Sequence, residues 1–200
     1  MNSEFSITEQ KNQLRQQMRQ IRRAMPPEKR ETADKAICEA VLAHPDFMRA
    51  KQIFAYVAMP IEVQTKGILE ACLAMGKTLA LPVCETASHA MTFYRLDDMA
   101  ELTAGAYNIP VPPVSAARVC TPDAETLVLL PMTAYDAQGY RLGAGGGYYD
   151  RFFAQYPFLR TLGICYADCF AEVLPHDEYD QKMQACITEN GLEDFHGRTE

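Results

Sequence analysis

The sequence predicts an α/β fold whose mostly parallel sheet is covered on both faces. Two observations carry this. From residue 52 onward, short apolar runs rich in strand formers alternate with helical segments, the order that threads parallel strands through helical crossovers. One of those runs, Thr126-Leu127-Val128-Leu129-Leu130, shows no polar alternation, as expected of a strand buried on both sides.

The elements follow in order. Ser6-Ile7-Thr8-Glu9 has capping-box form, and Leu14, Met18, Ile21 and Met25 recur at helical spacing, so residues 8–25 form an amphipathic helix. Pro26-Pro27 ends it, and Pro27 suits the first turn of a second helix over 28–43, which closes at His44-Pro45. Strands are expected at 53–58, 78–83 and 91–96, with a helix at 65–75 between Thr65 as N-cap and Gly76 just past its end. The prolines at 110, 112, 113 and 122 make 97–123 a surface loop with at most a short strand. After the 126–130 strand come a glycine-rich loop, a helix at 148–156, a central strand at 161–166 and a last short strand at 185–188. The length suits one domain over 1–200, its N-terminal helical pair (about 8–43) packed on the sheet.

Composition narrows the function. Nineteen basic against 26 acidic residues give a net charge of −7, which argues against bulk nucleic-acid binding. No signal pattern opens the chain and no apolar run reaches membrane-spanning length. The seven cysteines form no C-x-x-C, so they read as small buried hydrophobes in a reducing cytosol. Cys165 and Cys169, four apart, have no histidine nearby to complete a metal set.

The stretch YRLGAGGGYYDR, residues 140–151, carries the chemistry. Four glycines in five positions, between a buried strand and a helix, let backbone N–H groups approach an anion at a helix N-terminus. It is not a dinucleotide fingerprint, because Tyr148 stands where the third glycine would be, nor a Walker loop, because no Gly-Lys-Ser/Thr follows. Arg141 and Arg151 flank it, and guanidinium forks suit phosphate oxygens. Asp150 fits either a dipole-stabilising first-turn acid or a Mg²⁺ ligand beside bound phosphates. The N-terminal helix carries Lys11, Arg15, Arg19, Arg22 and Arg23, which read as a solvated basic face, with Lys11 and Arg15 placed to add cation to a phosphate site. Glu62 follows a strand end, where open parallel sheets hold ligands, but taken alone it reads first as a solvated loop acid. The loop from His176 through Asp177, Glu178 and Tyr179 to Asp180 could supply a second carboxylate. No Ser-His-Asp or Cys-His set exists, and His44, His89 and His196 read as loop or surface residues.

The run from Asp136 to Arg151 resembles the signature of the 5-formyltetrahydrofolate cyclo-ligase (5,10-methenyltetrahydrofolate synthetase) family. So do Lys11-Asn12-Gln13-Leu14-Arg15, the segment from Met59 to Thr65 with Glu62, Gly76-Lys77 with Leu81-Pro82, and the ending from Pro175 through Asp180 to Thr188-Glu189. The resemblance thus covers nearly the whole chain. It implies a three-layer sandwich with a mostly parallel central sheet, akin to sugar-phosphate isomerases and CoA transferases. It implies that ATP phosphorylates the formyl oxygen of 5-formyltetrahydrofolate and that N10 closes on the activated carbon, giving 5,10-methenyltetrahydrofolate, ADP and phosphate. It further implies Mg²⁺, a cytoplasmic location, small-molecule substrates without nucleic acid or membrane, and a monomer or weak dimer.

Residue by residue, the resemblance assigns ATP to Lys11, Asn12, Gln13, Leu14 and Arg15. The same role falls to the loop Arg141, Leu142, Gly143, Ala144, Gly145, Gly146, Gly147, Tyr148, Tyr149, Asp150 and Arg151, with Arg141 and Arg151 also catalytic. Asp150 and Asp180 match the metal carboxylates. Val57, Met59, Glu62, Gly147, Tyr148 and Tyr149 match the folate pocket. Gln184 departs from the family, which usually has aspartate there, and Ala144 and Gly146 are smaller than in many relatives. Two rivals need weighing: an isomerase or acyl-carrier transferase of the same fold, which leaves Lys11 and Arg15 unexplained, and a non-catalytic nucleotide- or folate-binding regulator.

Overall fold

The computed structural model describes residues 5–105 and 109–195; His196 lies outside them. Helix α1 (Ile7–Ala24) starts at the expected capping box: Ser6 Oγ accepts from Glu9 N, and Glu9 Oε2 accepts from Ser6 N at 2.8 Å. Helix α2 (Pro27–Ala43) has Pro27 in its first turn. His44 is not a bare loop residue: its Nδ1 accepts from Asp46 N and caps a short helix α3 (Pro45–Arg49) that the His44-Pro45 break concealed.

The strands are β1 (Gln52–Phe54), β2 (Thr78–Cys84), β3 (Met91–Leu96), β4 (Thr103–Ala104), β5 (Pro110–Val111), β6 (Val119–Cys120), β7 (Thr126–Pro131), β8 (Ala134–Tyr135), β9 (Arg141–Leu142), β10 (Arg160–Ile164), β11 (Ala185–Thr188) and β12 (Gly191–Asp194). Helix α4 is Lys66–Ala74 and α5 is Tyr148–Gln155. Eight strands form the central sheet in the order β12-β11-β10-β7-β1-β2-β3-β6. The inner five pair in parallel, and the edges add β12, β3 and β6 antiparallel. The α/β class with a mostly parallel sheet is therefore borne out. Strand β12 was not expected, because it buries no apolar face; Leu192, Glu193 and Asp194 are all exposed.

Two expected elements differ. The 53–58 run pairs only as far as Phe54, after which Ala55–Ala58 leave the ladder at the carboxyl edge of the sheet. Thr65 is the N-cap residue of α4 as expected, but it has helical backbone angles, and its hydroxyl donates to Tyr56 O at 2.7 Å instead of accepting from the helix's own N–H groups. Gly76 stands just past α4 with φ +68°, as its position required.

The connections define where a ligand can sit. Strand β1 crosses through α4 to β2, while its neighbour β7 crosses through α5 to β10, in the opposite direction along the sheet. Right-handed crossovers then put α4 and α5 on opposite faces. On the α5 face Phe54 stacks on Phe93, with centroids 4.4 Å apart, and Phe152 packs on both. Between β1 and β7 the strand order reverses, so the loops that leave them splay apart at their carboxyl ends. That crevice is where open α/β sheets bind ligands. Among the described residues no helix is long and apolar enough to cross a membrane.

Candidate active site

A cleft of about 970 Å³ opens at this crevice. Its inner walls come from the β1 and β7 exits, through Glu62, Pro131, Met132 and Thr133, and from the β2–β3 hairpin, through Pro82, Cys84 and Met91. The glycine loop, Gly143 to Gly147, and the start of α5 form one side. Thr8, Lys11, Asn12 and Arg15 of α1 face it, and the Asp177–Gln181 loop closes the end.

The loop conformation explains its glycines. Gly145 has φ +111° and Gly147, at the N-cap of α5, has φ +64°, a region that costs residues with a Cβ roughly 1–2 kcal/mol. A Cβ on Gly146 would lie 2.5 Å from the Tyr148 ring, so the tyrosine takes the space a side chain would fill. The α5 N-terminus, with its unpaired N–H groups and positive dipole end, thus faces the cleft beside a loop thin enough for close approach.

Helical spacing sorts the α1 cations. Lys11 and Arg15 share one face. Lys11 Nζ lies 2.5 Å from Asp180 Oδ2 and 3.2 Å from Asp177 Oδ2. Burial disfavours its charge, but hydrogen bonds and charge from Asp180 and Asp177 outweigh burial and hold its pKa above the usual lysine value. Asp177 is held below the usual carboxylate range, first by the Tyr179 N–H it accepts from and also by Lys11. Arg15 Nε donates to Gly143 O at 2.8 Å, tying α1 to the glycine loop. Gln13 is exposed and Leu14 packs on the core, so neither lines the cleft.

Arg22 departs from the expected solvated face. It is 3% exposed, and its guanidinium donates to Met132 O, Thr133 O, Cys169 Sγ and Cys165 Sγ beneath the cleft floor. The signal was present in the sequence: Arg22 falls four after Met18 and three before Met25, on the buried stripe. A hydrogen bond with Cys165, and then the charge of Arg22, draw the Cys169 thiol below the usual cysteine range.

Arg141 and Asp150 form a half-buried pair. Arg141 Nη2 donates to Asp150 Oδ1 at 2.8 Å, Nη1 donates to Gln181 O at 2.6 Å, and the guanidinium lies 5.4 Å from the Phe153 ring. Its side chain is 4% exposed and that of Asp150 27%. Arg141 therefore orients an acid and anchors the Asp177–Gln181 loop, and its donors to those partners are already committed. Arg151 braces the loop from outside, donating to Gly146 O and His89 O and lying over the Tyr148 ring.

Asp150 and Asp180 stand on either side of Gln181: Asp150 Oδ1 accepts from Gln181 N at 3.2 Å, and Asp180 Oδ2 accepts from Asp177 N at 2.8 Å. Each keeps its second oxygen clear of these bonds. Among the described residues no group of three or more His, Cys, Asp or Glu side chains is arranged to hold a metal ion by itself. Two carboxylates with room for water and phosphate oxygens is the donor set Mg²⁺ favours. Gln184 does not line the cleft. Its Oε1 accepts from Thr161 N and its Nε2 donates to Leu159 O, latching β11 to β10 at their amino ends.

Glu62 lines the cleft from the loop that follows β1. Burial raises its pKa, against the Met59 N–H bonded to Oε2 at 2.8 Å and the charge of Arg22. Its loop hangs from α2, where Asp34 Oδ1 accepts from Gln64 N and Tyr166 Oη, and Arg30 Nη1 donates to Pro60 O. Tyr149 Oη is buried with no partner, and burial raises its pKa. Val57 packs against the core and Met59 is exposed, so both stand outside the cleft walls. Sequence reasoning missed the supporting residues Arg22, Arg30, Asp34 and Tyr166, because long-range hydrogen bonds leave no local pattern.

Residues 7–189 match the model of the 5-formyltetrahydrofolate cyclo-ligase family. The chain is 28% identical over 174 residues to the Escherichia coli K12 5-formyltetrahydrofolate cyclo-ligase, covering 86% of this chain and 96% of that one. It is 27% identical over 195 residues to the Mus musculus 5-formyltetrahydrofolate cyclo-ligase, covering 92% and 96%. The Aquifex aeolicus 5,10-methenyltetrahydrofolate synthetase structure superposes with a TM-score of 0.79 at 27% identity, covering 95% of each chain. Fold, cleft and sequence agree: this chain belongs to the 5-formyltetrahydrofolate cyclo-ligase family.

Proposed function

We propose that the cleft converts 5-formyltetrahydrofolate and ATP to 5,10-methenyltetrahydrofolate, ADP and phosphate, with Mg²⁺ as cofactor. One observation carries the reading. A glycine loop at a helix N-terminus, Lys11 and Arg15 of α1, and the carboxylates of Asp150, Asp177, Glu178 and Asp180 line one cleft together with the mostly apolar Pro82, Cys84, Met91, Pro131, Met132 and Thr133, beside Glu62. That combination suits a polyanion and a ring system held in the same cleft.

The formyl oxygen attacks the γ-phosphorus and the bond to the β-phosphate oxygen breaks, releasing ADP. The N10 lone pair then attacks the formyl carbon, the C–O bond breaks, phosphate departs with that oxygen, and N10 loses its proton. No protein nucleophile is needed, so the chain's work is positioning and charge neutralisation. Lys11, Arg15 and the N–H groups of the glycine loop and α5 offset phosphate charge. Asp150, oriented by Arg141, and Asp180 would hold Mg²⁺, which when bound neutralises charge on the phosphate oxygens. Glu62, with Tyr149 beside the cleft, offers hydrogen-bonding groups to the pterin. The Pro82, Met91 and Pro131 walls exclude water from the activated carbon, where hydrolysis would compete.

The direct test follows methenyl product by absorbance and ADP release, with 5-formyltetrahydrofolate and MgATP. The expected result is one of each per turnover. Ligand binding without either product would overturn the reading in favour of a non-catalytic binding protein.

A further inference from the structure

We propose that Arg19 and Arg23 form a second anion subsite, continuous with the phosphate end of the cleft, that engages the phosphate oxygens of a nucleotide entering or leaving it. The proposal rests on the phosphoryl-transfer reading above. A groove of about 420 Å³ runs along α1 beyond the cleft, with Ala144 of the glycine loop on its far side. Asn12, Arg15 and Ala144 line both spaces, so the groove is an extension of the cleft. Arg15, Arg19 and Arg23 recur every four residues along it and span about 12 Å of helix.

The charge pattern calls for a ligand. The chain has 26 acidic residues against 19 basic ones, yet neither Arg19 nor Arg23 has a carboxylate partner among the described residues. Lys11 on the same helix and Arg141 across the cleft each have one, while Arg15, Arg30, Lys77 and Arg151, which have none, donate to backbone carbonyls. Arg22, between them, shows how α1 satisfies a guanidinium when structure needs it: it turns inward onto carbonyls. Arg19 and Arg23 stay outward and exposed. Burial, and then the charge of Arg19, lower the pKa of Arg15. Cations that repel one another without an intervening acid are stabilised by an arriving anion. A chain of net charge −7 also repels a nucleotide at distance, and a local basic lane offsets that on approach.

The direction of the groove selects phosphate over the folate's carboxylate tail. It leaves the cleft beside Arg15 and the glycine loop, whereas the apolar walls lie at the β2–β3 side.

The test uses the full-length double variant Arg19→Gln/Arg23→Gln, whose exposed positions spare the core, with its melting temperature checked against the unaltered protein. Inorganic tripolyphosphate is titrated by calorimetry, and steady-state rates are measured with MgATP and with 5-formyltetrahydrofolate bearing one or several γ-linked glutamates. Two exposed charge contacts predict a loss of about three- to tenfold in tripolyphosphate affinity and in kcat/KM for MgATP. The kcat and the KM for either folate should stay unchanged, and the loss should shrink in high salt. Unchanged tripolyphosphate affinity and unchanged kcat/KM for MgATP would overturn the proposal. So would a raised KM confined to the polyglutamyl folate, which would give the groove to the carboxylate tail. An arginine-dependent tripolyphosphate affinity in a protein that turns over no folate would sink the cyclo-ligase reading and leave the subsite standing.

Discussion

Arg141→Met separates two roles for the arginine before the glycine loop. Methionine matches much of its length but removes the hydrogen bonds to Gln181 O and Asp150 Oδ1 and the contact with the Phe153 ring. Removing one partner of a fully buried ion pair costs about 3–5 kcal/mol. Here Asp150 keeps 27% exposure, so water recovers part of that. Losing the charged hydrogen bonds should then cost about 2–3 kcal/mol. For a chain of this size each kcal/mol shifts Tm by about 2–4 °C, giving a fall of about 4–12 °C. Freed from its anchor, Asp150 should also hold the cation less well. The assay is thermal unfolding together with turnover as a function of Mg²⁺ at saturating ATP. The expected result is a lowered Tm and a Mg²⁺ dependence displaced to higher concentration. An unchanged Tm with only KM for ATP raised would refute the orienting role and return Arg141 to direct phosphate contact.

Two further outcomes follow from the same geometry. Glu62→Gln should raise KM for 5-formyltetrahydrofolate while leaving Tm equal or higher. Its folded pKa is raised, chiefly by burial, so the native state binds the extra proton more tightly than the unfolded chain, and stability falls as pH rises from the ordinary carboxylate value through the folded one; a Tm that rises across that window in the unaltered protein but not in the variant would contradict this. Gly147→Ala places a Cβ at φ +64° and 2.8 Å from Arg151 Nη1, so kcat/KM for ATP should fall at least several-fold with a Tm loss of a few degrees, and full activity would show that the loop does not need this backbone.

The elements legible in the sequence were those fixed by local chemistry. The Ser6–Glu9 capping box, Gly76 past its helix and the apolar 126–130 strand were read correctly because neighbours a few residues apart decide them. The antiparallel edges were not, since β12 pairs through its backbone while its side chains face solvent. At the site, Lys11 and Arg15 were placed on one face by helical spacing alone, and both line the cleft. Arg22 was misjudged because residue type was weighed above position on the helix. What Arg141 holds could not be read, since its partners, Asp150 and Gln181, lie nine and 40 residues away.

The bond from Lys11 to Asp180 joins residues 169 positions apart. On a ribosome adding about 5–20 residues per second, α1 is made roughly 8–34 s before the acid that closes the cleft behind it. During that interval the apolar stripe of α1 and the Arg22 guanidinium lack Met132, Cys165 and Cys169, their eventual surroundings. The end of the cleft that α1 lines is therefore a late-assembling seam between the first helix and the Asp177–Gln181 loop. Removing α1 should abolish it while leaving the inner parallel strands in place, whereas a cut before Asp180 would also take β11 out of the parallel sheet.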